Sequence, residues 1–303
     1  MPGASSLLPE LLSRAGALPA THAIDGERFR RGHVYVAPPD HHLLLHDGVT
    51  MVTLGPRENG FRPAVDPLFR TAARQHGRRV VGIVLSGALD DGTRGLQEIK
   101  RAGGMAIAQR VEDATIPAMP MSAIRNVEVD HIVAASAIAP LIVRLTSEPL
   151  RGAVRAPRRG GQHDVAEHGT RKLANRHPKS PSPFTCPECG GALWQGRDGK
   201  MTDFYCHVGH SFTAESLASG LNDRVESAMW TALRTLEEST VLQRRFAENA
   251  RTHGLAALAA AHEQRARTSA LRADTIRAAL TNDPVAPAPR AARLKKRRRS
   301  RPG

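Results

Sequence analysis

The stretch RRVVGIVLSGALDDGTRGLQEIKRAGGMAIAQ, residues 78–109, restricts the fold more than any other segment. Its run of Val, Ile and Leu without alternating polar residues is typical of a strand that is covered on both faces of a parallel sheet. A short loop, a helical segment and a second strand, MAIAQ, follow directly. Strand, helix and strand joined by short loops indicate a βαβ crossover. Further strand and helix patterns follow in PMSAIRN, HIVAA and IAPLIVRL, so residues 1–148 predict an α/β domain with a parallel sheet.

The composition changes after this domain. Residues 149–183 are rich in Arg, Gly, Pro and His, and they hold too few large apolar residues to order themselves, which predicts a disordered linker. Residues 184–213 carry all three cysteines. Residues 214–281 read as two long helices interrupted at His253-Gly254, which fits an antiparallel hairpin, a dimerising coiled coil, or packing for the core of the small domain. Residues 282–303 form a basic tail that we expect to be disordered.

Positive charge is concentrated outside the predicted folded parts. The formal net charge of the 303 residues is +14, and much of it lies in the predicted linker and tail. Such blocks are usually solvated, although they attract nucleic acid without specificity. Nucleic-acid binding is therefore the weakest of the function classes that we consider. No apolar run approaches the roughly 20 residues of a membrane span, and no signal-peptide pattern is present, so we expect a cytoplasmic protein.

The cysteine segment predicts a metal site. Cys186 and Cys189 form a C-x2-C pair, and Cys206 and His210 form a C-x3-H pair. Three thiolates and an imidazole at this spacing suit tetrahedral Zn²⁺, and a site closed by four protein ligands is structural. His207 is the competing ligand, but it adjoins Cys206, where joint ligation is awkward.

Two adjacent carboxylates follow the strand RRVVGIVL. Ligands of open α/β sheets bind at the carboxyl ends of strands, which favours a functional role for Asp90 or Asp91. The alternative is that one or both residues belong to the turn or cap the helix that begins at Thr93.

Several motifs resemble one family. ENGFRPAVDPLFRTAA, GHVYVAPPDHHLLL, MPMSAI and VDHIV, together with the segment above, are similar to the catalytic domain of the chemotaxis protein-glutamate methylesterases, CheB. The resemblance covers nearly all of residues 1–145. It implies a doubly wound parallel α/β domain with a Ser-His-Asp triad and no catalytic cofactor. The family pattern T-G-M-G-x-D-G falls on residues 86–92, so Asp91 is the expected triad acid, the backbone N–H of Ala88 is an expected oxyanion donor, and Leu89 replaces a Gly.

The triad serine and histidine are not expected within this sequence. In the family, the nucleophile loop and the histidine motif precede the segment that the first residues of this chain match. We therefore interpret Ser5 and Ser6 as non-catalytic, with Ser6 capping the first helix. The nearby histidines lie away from the position of the base: His22 (expected in a loop), His41 and His42. We expect an incomplete doubly wound sheet without its first strands, and a true start upstream of Met1.

Two functions follow from these observations. The resemblance implies an esterase of a chemotaxis or related sensory pathway that hydrolyses glutamyl methyl esters on a methyl-accepting chemoreceptor or a similar receptor protein. The alternative is a non-catalytic interaction module that binds proteins of such a pathway. Both include a structural Zn²⁺ at the cysteine segment.

Overall fold

The strands predicted after residue 80 pair in one parallel sheet. The computed structural model describes residues 6–149 and 180–281. Within them, this region contains the elements β5 Val81–Val84, β6 Met105–Gln109, β7 His131–Val133, α2 Val65–His76, α3 Thr93–Arg101, α4 Ala118–Asn126 and α5 Ala135–Ser147. Strands β5, β6 and β7 lie side by side in the order of the chain. Helices α2 and α3 pack against each other beside this sheet.

The core of this domain lies between the sheet and α2–α4. Leu96 and Ile99 of α3 are fully buried against Val84 and Ala106 of the sheet. Close packing is enforced by glycine, since a Cβ on Gly95 would stand 2.4 Å from the Cβ of Phe69. The two helices therefore cross at a distance that only glycine allows.

The first part of the chain forms smaller elements of its own. β1 and β2 pair in parallel, separately from β5–β7 among the described residues, and β3 and β4 form an antiparallel hairpin around Asp47-Gly48. His22, which the sequence places in a loop, is the last residue of β1. The bounds are α1 Leu8–Ala15, β1 Ala20–His22, β2 Val34–Val36, β3 His42–His46 and β4 Val49–Thr53.

A four-stranded antiparallel sheet carries the cysteines, and we refer to residues 180–213 as the cysteine module. Its strands lie in the order β11-β10-β9-β8. Their bounds are β8 Ser180–Thr185, β9 Ala192–Asp198, β10 Met201–Cys206 and β11 Ser211–Thr213. A small core of Leu193, Phe204, Phe212 and Leu217 lies beside the cysteines. The chain divides into two compact units, Met1–Leu221 and Asn222–Gly303, so the module belongs to the same unit as the α/β domain.

The predicted linker ends earlier than the sequence suggested. Residues 180–183 belong to strand β8, where pairing with β9 satisfies their backbone, so the predicted boundary at residue 183 is wrong. Residues 150–179 of the linker and the predicted basic tail, 282–303, lie outside the described residues.

Helices α6 (Ala214–Thr252) and α7 (Ala256–Thr281) follow the module. They are antiparallel neighbours, since Arg251 pairs with Glu263 and Arg277 pairs with Glu237. Ala259, Ala266 and Ala273 are buried at intervals of seven residues, the spacing of a coiled-coil seam built on small side chains. No described helix combines the length and hydropathy that a bilayer crossing requires.

Leu89 adopts a backbone conformation that favours glycine. In the loop between β5 and α3 its φ is +58°, the left-handed region, where a Cβ costs about 1–2 kcal/mol. The resemblance places a Gly at this position. The loop thus keeps the glycine conformation although the side chain has changed.

We predict that Leu89→Gly is more stable than Leu89→Ala by about 1 kcal/mol, because both variants remove the side chain beyond Cβ and only glycine relieves the strain. Urea unfolding of the full chain measures the difference. A Leu89→Ala variant as stable as Leu89→Gly would show that the left-handed conformation carries no strain.

Candidate active site and metal centre

The loop of residues 86–92 follows the carboxyl end of β5. Its first two residues are held by hydrogen bonds to Gln109 and Ile116. The Ser86 N–H donates to Gln109 Oε1 at 2.8 Å, and the Ser86 hydroxyl accepts the Ile116 N–H at 2.9 Å. Gly87 donates its N–H to the Ile116 carbonyl at 2.9 Å, and a Cβ on Gly87 would overlap Met119 Sδ at 2.1 Å. The segment before α4 therefore fixes the start of the loop.

Asp91 lies at the other end of this loop and caps a helix. Its carboxylate accepts the Val65 N–H at 2.7 Å and the Asp66 N–H at 3.4 Å, both at the N-terminus of α2. The cap that the sequence suggested for α3 is thus formed on α2, because the loop turns Asp91 toward the neighbouring helix. Burial, followed by the nearby Asp66 carboxylate, raises the pKa of Asp91 to about 7.

Asp66 makes the reciprocal contact. Its Oδ1 accepts the Gly95 N–H of α3 at 2.7 Å, and its Oδ2 accepts the Asn59 amide at 3.1 Å. Asp91, which precedes α3, binds the start of α2, while Asp66, which begins α2, binds the first turn of α3. This pair of contacts, the carboxylate brace, orients Asp91 independently of any substrate.

Asp90 faces the cysteine module instead of an open site. It is 2% exposed, its carboxyl group lies beside the Thr213 hydroxyl, and its Oδ1 has no hydrogen-bond partner among the described residues. Burial raises its pKa from the usual 3.8 to about 6. Of the two adjacent carboxylates, Asp91 is therefore the one whose surroundings fit the triad acid.

Ala88 is exposed on the same loop. The hydrogen bonds found among residues 6–149 and 180–281 include none that its N–H donates. This donor is therefore free for an oxyanion, as the resemblance requires.

The other described candidates from the sequence make local hydrogen bonds away from Asp91. Ser5 lies outside the described residues, and Ser6 Oγ accepts the Leu8 N–H at 3.3 Å at the start of α1. His42 Nδ1 accepts the Ala64 N–H at 3.2 Å, while its Nε2–H donates to the Pro56 carbonyl at 2.9 Å. Because Nδ1 accepts a hydrogen bond, this imidazole is neutral, and burial lowers the pKa of His42 in the same sense. His41 bonds the Pro39 carbonyl, and none of the described histidines hydrogen-bonds Asp91.

Sequence reasoning missed a buried charge cluster behind the brace. Arg70 forms a two-pronged pair with Glu58, at 2.6 and 2.8 Å, and Arg94 pairs with Asp203 of the cysteine module at 3.1 Å. The available signal was the position of Arg70 four residues after Asp66 on the same helix. Arg94 gave no such signal, because its partner lies 109 positions away in the sequence.

The four predicted metal ligands converge. Donor atoms of Cys186, Cys189, Cys206 and His210 all lie within 4.8 Å of one another. The Cys189 and Cys206 sulfurs are 3.8 Å apart, and His210 Nδ1 is 3.4 Å from the Cys206 sulfur and 3.6 Å from that of Cys186. A tetrahedral Zn²⁺ with ordinary bond lengths requires edges of about 3.8 Å between sulfurs and about 3.6 Å between sulfur and nitrogen. His207 is exposed outside this cluster.

Two tight turns present these ligands. The Gly190 N–H returns to the Cys186 carbonyl at 2.8 Å, and the Gly209 N–H returns to the Cys206 carbonyl at 3.2 Å. Both glycines have positive φ, 72° and 112°, which other residues adopt at a cost. The donor set and its turns fit a soft divalent ion such as Zn²⁺.

Comparisons with known proteins identify a family for the first half of the chain. The CheB methylesterase family matches residues 1–142. A relative from Leptospira interrogans is 40% identical over 129 residues, which are 42% of this chain and 67% of the relative. The protein-glutamate methylesterase/protein-glutamine glutaminase of Pyrococcus abyssi is 37% identical over 155 residues, 50% of this chain and 42% of that protein.

One solved structure is also similar. The Thermotoga maritima CheB methylesterase catalytic domain has 31% sequence identity and a TM-score of 0.45, and the match covers 48% of this chain and 79% of that one. The match to the family over residues 1–142 and the 40% identity over two thirds of the Leptospira relative lead to one conclusion: this chain belongs to the CheB methylesterase family.

Proposed function

We propose that this chain is the acid-bearing part of a protein-glutamate methylesterase in a chemotaxis or related sensory pathway. The supporting observation is the position of Asp91, which is buried at the carboxyl end of a parallel strand in the family's motif and held by two backbone amides. A carboxylate fixed in this way orients a histidine without moving during the reaction.

The chemistry would follow the Ser-His-Asp scheme. A serine attacks the carbonyl of a glutamyl methyl ester while a histidine takes its proton, and Asp91 stabilises the resulting imidazolium. The Ala88 N–H donates to the oxyanion, methanol leaves, and water then hydrolyses the acyl-enzyme. The serine and histidine lie outside the residues that we assign to the site.

The substrate would be a methylated receptor in the cytoplasm, such as a methyl-accepting chemoreceptor. The names of the relatives pair the esterase with a glutaminase. The same acyl chemistry serves both reactions, because a glutamine side chain passes through the same intermediate and releases ammonia instead of methanol. Since neither reaction needs a metal, the Zn²⁺ that we assign to Cys186, Cys189, Cys206 and His210 would be structural.

We expect Asp91→Asn to lower methanol release from methylated receptor by roughly 10³–10⁴-fold, because the amide favours the wrong histidine tautomer. The assay uses protein tagged at its own gene and purified from its native cells, and an intact mass defines which residues it contains. Asp90→Asn is the matched control and should retain activity within about tenfold.

Activity that survives Asp91→Asn would exclude Asp91 as the triad acid. Absence of methanol and ammonia release from the native protein would instead favour the non-catalytic alternative, in which the chain binds a protein of the sensory pathway.

The zinc assignment predicts one equivalent of metal per chain. Co²⁺ bound in place of zinc should give the intense visible absorption of tetrahedral cobalt with thiolate ligands, and Cys206→Ser should weaken the affinity by at least tenfold. His207→Ala, beside the ligand, should leave it unchanged. An equal loss of metal affinity in Cys206→Ser and His207→Ala would exclude the proposed ligand set.

A further inference from the structure

We propose that the cysteine module is a metal-dependent clamp that positions the Asp90–Asp91 loop and the start of α3. This inference rests on the zinc site proposed above, and it adds a mechanical link between that site and the triad acid.

The hairpin of β9 and β10 contacts both ends of α3. At the C-terminal end, Arg101 forms a two-pronged pair with Asp198, next to the hairpin turn. At the N-terminal end, Arg94 contacts Asp203 and Tyr205 near the end of β10. Arg94 and Arg101 are seven positions apart, which is about 10 Å along the helix. Asp198 lies opposite Met201 in the hairpin, so about 7 Å of strand separates it from Asp203 and about 13 Å from Tyr205. The hairpin therefore lies along α3, with its metal end beside the Asp90–Asp91 loop.

Arg94 is the central contact of this interface. Its side chain is 7% exposed, its Nε lies 3.1 Å from Asp203 Oδ1, and that carboxylate is 4% exposed. The guanidinium also contacts the Tyr205 hydroxyl and lies 5.3 Å from the centre of the Tyr205 ring. Tyr205 immediately precedes the ligand Cys206, so metal binding and the contact with Arg94 share one short piece of strand.

A second set of contacts joins the module to the residues before α2. The Asn59 N–H donates to the Ser211 carbonyl at 2.8 Å, one residue after the ligand His210. Ser216 and Thr213 cap α6 reciprocally, with bonds of 2.9 and 3.1 Å, and the Ser216 hydroxyl also donates to Asn59 Oδ1. Asn59 in turn donates to Asp66 of the carboxylate brace.

The second contact set therefore ends on Asp66 of the brace, and the first ends on Arg94, which adjoins Gly95 of the brace in α3. One route passes from Cys206 through Tyr205 to Arg94, and the other passes from His210 through Ser211 to Asn59. A module without metal has only a small apolar core to hold β10 and β11 in place. Loss of the ion should therefore free the loop of residues 86–92 and the starts of α2 and α3.

Hydrogen exchange of the full chain, with Zn²⁺ bound and after its removal under reducing conditions, tests the clamp. We expect exchange in residues 58–70 and 86–97 to rise at least tenfold on removal and to recover when Zn²⁺ is added back. Exchange in α7 should stay unchanged. Cys189→Ser should reproduce the metal-free pattern, and His207→Ala should not.

A second pair of variants distinguishes loss of the clamp contact from loss of the metal and from global unfolding. Tyr205→Phe keeps all four ligands but removes the hydroxyl at Arg94, so it should bind Co²⁺ normally and still raise exchange in residues 86–97. Tyr35→Phe, the same change at the other tyrosine, should not. Normal metal binding with unchanged exchange in the metal-free protein and in Tyr205→Phe would overturn the clamp and leave the zinc site standing. Failure of the full chain to bind any metal would overturn both the clamp and the zinc site.

Discussion

The carboxylate brace between α2 and α3 is the contact on which the rest of the α/β domain depends. Each helix start has unpaired N–H groups, and each receives a carboxylate from the other segment: Asp91 binds Val65 and Asp66, and Asp66 binds Gly95. Glycine at position 95 brings the two helices close enough for these bonds. The same carboxylate that stabilises a helix start is thereby fixed at the carboxyl end of β5, where the reaction would take place.

The brace carries a surplus of negative charge that the fold must balance. Among the described residues, the buried groups near it include five carboxyl groups and two guanidinium groups: Glu58, Asp66, Asp90, Asp91 and Asp203, with Arg70 and Arg94. Burial opposes ionisation of Glu58, yet the facing Arg70 still lowers its pKa, whereas Asp66, Asp90 and Asp91 have raised pKa values. Arg94 faces both Asp66 and the cysteine module, and together with Arg101 and Asn59 it joins these two parts of one compact unit.

The elements and the ligands could be predicted from the sequence, but the contacts between distant segments could not. Periodicity and turn residues predicted β5, α3 and β6, because a buried parallel strand and a helix stop leave local signals. Ligand spacing predicted the Cys/His cluster, which the structure brings together. No local pattern could reveal that Asp91 caps α2, that Asp90 faces Thr213, or that Arg94 meets Asp203, since these pairs depend on packing between separate elements. The linker boundary was wrong for a related reason, because the Ser/Pro-rich residues 180–183 become a strand only through pairing with β9.

The backbone of Leu89 shows how firmly the loop of residues 86–92 is held. A residue with a Cβ in the left-handed region is kept only where its surroundings hold the backbone more strongly than the strain opposes it. Here the loop is fixed at Ser86 and Gly87 by the segment before α4, at Asp91 by α2, and at Asp90 by Thr213 of the cysteine module. With three separate anchors, the loop does not require glycine to reach its conformation. The N–H of Ala88, which we propose as an oxyanion donor, therefore lies on the anchored part of the loop, and such a donor acts best when its position is fixed before the substrate arrives.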